Sequence, residues 1–165
     1  MEIYSELKSD HKNIKAILKK LDDTTEKSGK RRLQLLKQLK EILVPHSRAE
    51  EKVLYEPLKL SDVKKADALA FEGYEEHGVV DRLAHTIETT KVNDKKWTAL
   101  MSVVKENLEH HIEEEEEDLF KKAKKSFDHK DAVKMGAEFL ELKATYLKEL
   151  KKGSPLKQPP SHELV

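Results

Sequence analysis

The chain has 165 residues, no cysteine, 32 basic against 32 acidic side chains, and only 5 Gly and 5 Pro. That length suits one domain, the even charge argues against a nucleic-acid footprint or a polybasic membrane anchor, and the missing thiols leave His, Asp and Glu as the only metal ligands. With 39% charged and 37% hydrophobic residues, the core must come from narrow apolar stripes, so amphipathic helices are expected and an all-β or parallel α/β domain is not.

The segment MEIYSELKSD lacks the basic and apolar regions of a signal peptide, and no apolar run approaches the ~18 residues of a membrane span. A cytoplasmic protein without membrane contact is expected. Ile3, Leu7, His11, Ile14, Leu18 and Leu21 recur at helical spacing and predict a first helix that ends near the Lys27-Ser28-Gly29 turn. A second helix starts near Lys30 with the stripe Leu36, Leu39, Leu43, His46, Glu50 and Val53; Pro45 should kink it and Pro57 should stop it after Tyr55. The third is expected behind Ser61 or Asp62 as cap and runs to about Lys91 along Val63, Ala66, Ala70, Gly73, His77, Val80 or Asp81, and Ala84.

Asn93 and Asp94 cap a fourth helix striped by Trp97, Met101, Val104, Leu108, His111, Glu115 and Leu119. A fifth, from about Asp128 to Leu150, presents Val133, Phe139, Leu140, Leu142, Tyr146, Leu147 and Leu150. The Pro-rich segment 151–165 is expected to be a disordered tail, leaving 1–150 as the folded domain. Short connections between the first four helices imply antiparallel neighbours, hence an all-α, up-down-up-down four-helix bundle with the additional C-terminal helix packed outside.

Two stretches repeat. Residues 46–55, HSRAEEKVLY, and 111–120, HIEEEEEDLF, both fit H-x-x-x-E-E-x-x-L-aromatic, and each is preceded by an acid-His pair, Asp10-His11 or Glu76-His77. The chain therefore reads as two copies of a helical hairpin. From His11 to the turn near residue 28 is ~25 Å of helix and from there back to His46 ~27 Å, so the two histidines stand at one height. The second copy gives the same result for His77 and His111. Four histidines and two glutamates, Glu50 and Glu115, then share one cross-section of the bundle interior.

A lone histidine on an apolar seam is usually a hydrogen-bonded core residue, but six such groups together are different. A buried unpaired carboxylate costs several kcal/mol and an unsatisfied imidazole ~1 to 3, against a total stability of ~5 to 15. Bound cations would compensate them most directly. His111 is preferred to His110 because it continues the Trp97 to Leu119 stripe, whereas His110 runs through polar positions. His85 is expected at the surface or behind the ligands, His129 and His162 are given no role, and the acid run Glu113 to Asp118, apart from Glu115, is read as a solvated face. Six N and O donors with two carboxylates able to bridge suit a pair of octahedral Fe or Mn ions better than a tetrahedral zinc site.

Ferritin-like carboxylate proteins use Glu-x-x-His, which this sequence lacks; its motif is the reverse, His-x-x-x-Glu, used twice. Over about residues 5–125, Asp10-His11, His46-Ser-Arg-Ala-Glu50, Glu76-His77 and His111-Ile-Glu-Glu-Glu115 make the chain resemble the bacterial hemerythrin-like, or HHE cation-binding, domains. The resemblance implies that His11, His46, His77 and His111 are terminal ligands of two irons, bridged by Glu50 and Glu115 beside an oxo or hydroxo group. Oxygen-carrying hemerythrins have a further His where this chain has Asp81. Asp81 is therefore counted as a metal-site residue, as a carboxylate ligand, as the holder of a bound water or beside a solvent-filled position, and reversible oxygen carriage is disfavoured. The expected function is a non-haem di-iron protein that binds or reacts with O2, peroxide or nitric oxide. An iron buffer or sensor and a reversible oxygen binder are the alternatives. No separate catalytic or organic-cofactor residue stands out, and no protein partner is identified.

Overall fold

The computed structural model describes residues 1–154, 156 and 158. The first hairpin pairs α1 (Ile3–Asp22) with α2 (Gly29–Glu50), which continues through a π-helical turn at Glu51–Tyr55 into α3 (Glu56–Lys59). In the second hairpin, α4 (Ala66–Glu88) precedes α5 (Lys95–Glu114), which likewise continues through a π turn at Glu115–Leu119 into α6 (Phe120–Ser126). Helix α7 (His129–Lys151) lies outside, against α1 and α2. No strand occurs among the described residues, and no helix there is long and apolar enough to cross a membrane. The expected disordered tail falls mostly outside the described residues.

Local chemistry accounts for several ends and overturns others. The Asp94 and Asp128 side chains accept from the backbone amides of Lys96 and Asp131, the N-cap arrangement that satisfies first-turn donors. Neither Ser61 nor Asp62 caps the third rod. Ser61 instead accepts from the Val63 amide within a turn, and α4 starts after Lys65, whose φ of 67° turns the chain in the left-handed region. Pro57 does not stop the second rod either. It falls in the first turn of α3, directly after the π turn has already interrupted the i to i−4 ladder, so its missing N–H removes little.

Helix α7 meets the expected stripe in part: Phe139 is buried and Leu142 and Tyr146 pack against the core, but Val133 and Leu140 are exposed and Ala132, Met135 and Gly136 are buried instead. The small residues matter because the start of the chain crosses them: a Cβ on Gly136 would strike the Met1 carbonyl oxygen and come within 3.0 Å of the Ile3 amide nitrogen.

Apolar packing divides into two layers. One gathers Ile3, Leu7, Leu54, Leu58, Ala66, Ala70, Phe120 and Phe139; the other gathers Ile14, Leu18, Leu35, Leu39, Ile87, Trp97 and Leu108. The histidines and glutamates of the repeat lie between them along the chain. Beyond the second layer, buried Arg32 ties both hairpin turns together. Its Nε donates to Thr24 Oγ1 at 3.0 Å, Nη1 to the Val92 carbonyl at 3.0 Å and Nη2 to Thr98 Oγ1 at 3.1 Å, while its guanidinium lies over Trp97. Replacing Arg32 by methionine removes three hydrogen bonds from a charged donor together with its packing over Trp97, and should cost about 1–3 kcal/mol in urea unfolding. Metal content should not change, because the knot lies at the opposite end of α2 from His46.

Candidate metal centre

Six side chains from α1, α2, α4, α5 and the second π turn meet in the interior, all nearly excluded from solvent: His11, His46, Glu50, His77, His111 and Glu115. The histidines form two pairs. His11 and His46 have ring centroids 5.2 Å apart, and the Nε2 atoms of His77 and His111 face each other at 3.0 Å. Each carboxylate stands between the pairs. Glu50 Oε2 lies 3.6 Å from both His46 Nε2 and His77 Nε2, and Glu115 Oε2 lies 3.3 Å from His11 Nε2 and 3.6 Å from His111 Nε2. Donor atoms of Glu50, His77 and His111 all fall within 4.8 Å of one another, close enough for a single ion.

Behind the histidines runs a closed ring of carboxylates, each held by the neighbouring helix. Asp10 of α1 accepts from His46 Nδ1 at 3.0 Å, Glu51 of the first π turn from His77 Nδ1 at 2.9 Å, Glu76 of α4 from His111 Nδ1 at 2.6 Å, and Glu116 of the second π turn from His11 Nδ1 at 2.9 Å. With every Nδ1 committed as a donor, every Nε2 lone pair is left facing the centre, the tautomer a metal ligand requires. Both π turns begin directly after the α-helical stretch that carries His-x-x-x-Glu or its histidine, and they place Glu51 and Glu116 where these contacts form. Glu116 thus belongs to the site rather than to a solvated face.

Tyr55 and Phe120 occupy the same place in the repeat but differ by one hydroxyl. The Tyr55 hydroxyl donates to Glu115 Oε1, in space left by Gly73, where a Cβ would come within 2.7 Å of the tyrosine hydroxyl oxygen. Phe120 offers Glu50 nothing, and neither Glu50 oxygen has a hydrogen-bond partner among the described residues. Burial, followed by the Glu115 charge, pushes the Glu50 carboxyl well above the usual range. Burial acts on Glu115 too, but His111, His11 and His77 hold its carboxyl well below that range. Burial and the nearby His111 push His77 well down; His111 itself is raised because Glu115 and Glu76 outweigh its burial.

Asp81 does not join the six. Its side chain is 38% exposed, and its Oδ2 accepts from Arg48 Nη2 at 2.9 Å. Buried Arg48 also lies 3.3 Å from Glu51, so the guanidinium stands between Asp81 and the carboxylate that supports His77. Burial pushes Glu51 up to about 7 even against Arg48. His110 and His85 are exposed, His129 pairs with Glu2 at the surface, and His162 lies outside the described residues. Sequence spacing did not single out Arg48, Tyr55 or Lys143, whose ammonium binds both Asp10 oxygens at 2.8 Å. The tyrosine was signalled only by its place in the repeat.

The hemerythrin HHE cation-binding domain family matches residues 2–123, and the chain belongs to that family. No curated protein matches it. No solved structure matches either.

Proposed function

We propose that the six buried side chains hold two metal ions, iron being the native one, and that the protein binds or reacts with O2, peroxide or nitric oxide. The observation that supports this most is that four Nε2 atoms and two carboxylates converge while each Nδ1 is already used. His11 Nε2, both Glu50 oxygens and Glu115 Oε2 have no hydrogen-bond partner among the described residues, a costly arrangement that cations relieve. One ion would take His11 and His46, the other His77 and His111. Each glutamate reaches one histidine of each pair and so would bridge. Asp81 serves in this reading as the partner of Arg48 and not as a ligand.

When bound, two redox-active ions would supply the binding and reduction of small oxygen and nitrogen species. The chain's own part is to fix four imidazole tautomers, to place the bridging carboxylates, and to exclude bulk water with the apolar layers on either side. Asp81 lines an open groove with Gly78, Arg82 and His85, and none of the six cluster residues lines it. Elemental analysis and an optical spectrum of protein from iron-supplied cells test the reading. Two irons per chain with near-ultraviolet absorption are expected; one zinc and no iron would defeat it.

Loading should also release protons. Burial, followed by the Glu115 charge, raises Glu50, and Glu115 and Glu76 raise His111, so both groups favour their protonated forms and a cation competes with protons for them. An indicator dye in weak buffer should register proton release on loading, with affinity falling as pH falls. A second reading, an iron buffer or sensor whose fold tracks occupancy, draws on the same cost of the metal-free cluster. Full retention of helical structure and unfolding cooperativity after chelation would count against it.

A further inference from the structure

Three of the four carboxylates behind the histidines carry a fixed cation: Lys143 on Asp10 at 2.8 Å, Arg48 on Glu51 at 3.3 Å and Lys8 on Glu116 at 3.7 Å. Glu76 is the exception; among the described residues no lysine or arginine pairs with it. It has instead a carboxylate and an imidazole for neighbours. Ligand atoms of Glu76, His110 and Glu114 all lie within 4.8 Å of one another, and His110 Nε2 is 3.4 Å from Glu114 Oε1.

The repeat shows what belongs there. Glu76 corresponds to Asp10, His110 to Pro45 and Glu114 to Ala49. In the first copy α7 covers that face and its Lys143 ammonium sits on Asp10; in the second copy no helix covers it, and apolar Pro45 and Ala49 are replaced by two ligand-type side chains. A cleft lies over the same face. Glu72, Glu76 and Glu114 line it, and it reaches down to His111 and to buried Glu115, whose Oε2 faces the histidines of the buried cluster and has no hydrogen-bond partner among the described residues.

We propose that Glu76, His110 and Glu114 form an outer divalent-cation site, through which ions pass on their way to the buried cluster. Two carboxylates and one imidazole on an open face leave most of the ion's hydration shell in place, which suits a first-row ion held loosely and passed on. Focused negative charge at the mouth raises the local cation concentration and the capture rate. Glu76 contributes from both sides, accepting from His111 inside and facing the ion outside. The place on the route rests on the reading of the buried cluster as a metal centre; the outer site itself does not.

Titration of the full chain with Mn²⁺, following free Mn²⁺ by its EPR signal, tests both parts. Wild type should bind one weaker ion more than the double variant His110→Ala/Glu114→Gln, whose changes fall on partly or fully exposed side chains. A Glu50→Ala/Glu115→Ala chain should keep that weaker ion alone. Equal ion counts for wild type and the His110→Ala/Glu114→Gln chain would overturn the site, as would a Glu50→Ala/Glu115→Ala chain that binds nothing. Uptake into the buried cluster should slow about tenfold or more in the His110→Ala/Glu114→Gln chain, at unchanged final occupancy, and lose most of its salt dependence. Equal uptake rates would overturn the route. If wild type bound only the weaker ion, the outer site would stand and the reading of the buried cluster would fall.

Discussion

Glu50→Ala and Glu115→Ala are each expected to empty the buried cluster of both ions together. Glu50 touches His46 of one imidazole pair and His77 of the other, and Glu115 touches His11 and His111, so neither carboxylate belongs to one ion. In the proposed two-ion centre, losing a bridge would remove a ligand from each ion and the negative charge that offsets their mutual repulsion. The fold should survive, because the metal-free protein already bears the cost of these buried groups. Thermal unfolding with and without metal separates the two effects. Saturating metal at a thousand times its dissociation constant should stabilise wild type by about 4 kcal/mol and leave either variant nearly unmoved. A variant that kept two ions and an unchanged spectrum would show that its glutamate does not bridge.

The helices and the six convergent residues were legible in the sequence because both rest on period. A stripe at steps of 3 and 4 must face inward, and a doubled His-x-x-x-Glu at matched distances from its turns must meet its copy. What lay beyond period was not legible. Asp10 and Glu76 stand beside His11 and His77 in the sequence, yet each supports the histidine of the next helix, a relation set by helix rotation and not by spacing. Glu51 and Glu116 read as ordinary members of acid runs; the π turns that bring them to His77 and His11 leave no signature in composition. Only the first turns of the α7 face were misjudged, because Ala132 and Gly136, too small to register as apolar stripe residues, are what lets the chain start pack against it.

Asp81 was equally opaque, since its meaning depends on Arg48, which is distant in sequence. Arg48 is buried, donates to Asp81, lies against Glu51, and has Nε and Nη1 without partners among the described residues. A guanidinium in that place keeps an imidazole at position 81 from approaching the cluster freely. Asp81→His alone is therefore expected to leave the metal count and spectrum unchanged while weakening the fold. It replaces the anion that holds Arg48 with a group that repels it when protonated.

Arg48→Ala should have the larger effect. Breaking a buried ion pair by removing one partner costs about 3–5 kcal/mol where the remaining charge stays buried; here the cost is smaller, because Glu51 takes up a proton and Asp81 is 38% exposed. Its consequence for the cluster follows from Glu51. That carboxyl is already up at about 7 with Arg48 in place, so without the guanidinium it rises further and is protonated at neutral pH. A protonated Glu51 can donate to His77 Nδ1, which moves the imidazole proton to Nε2 and turns a ligand into a donor aimed at the centre. For wild type, metal binding at His77 needs the ionised carboxylate, so affinity is full above pH 7 and declines as pH falls through it. The Arg48→Ala profile should be displaced to higher pH, with affinity at pH 7 lower by about 10- to 100-fold, the usual cost of losing such a support. Metal affinity measured across pH 6 to 9 decides the matter. Coincident profiles for the two proteins would mean that Glu51 does not govern the His77 tautomer, and that Arg48 serves packing alone.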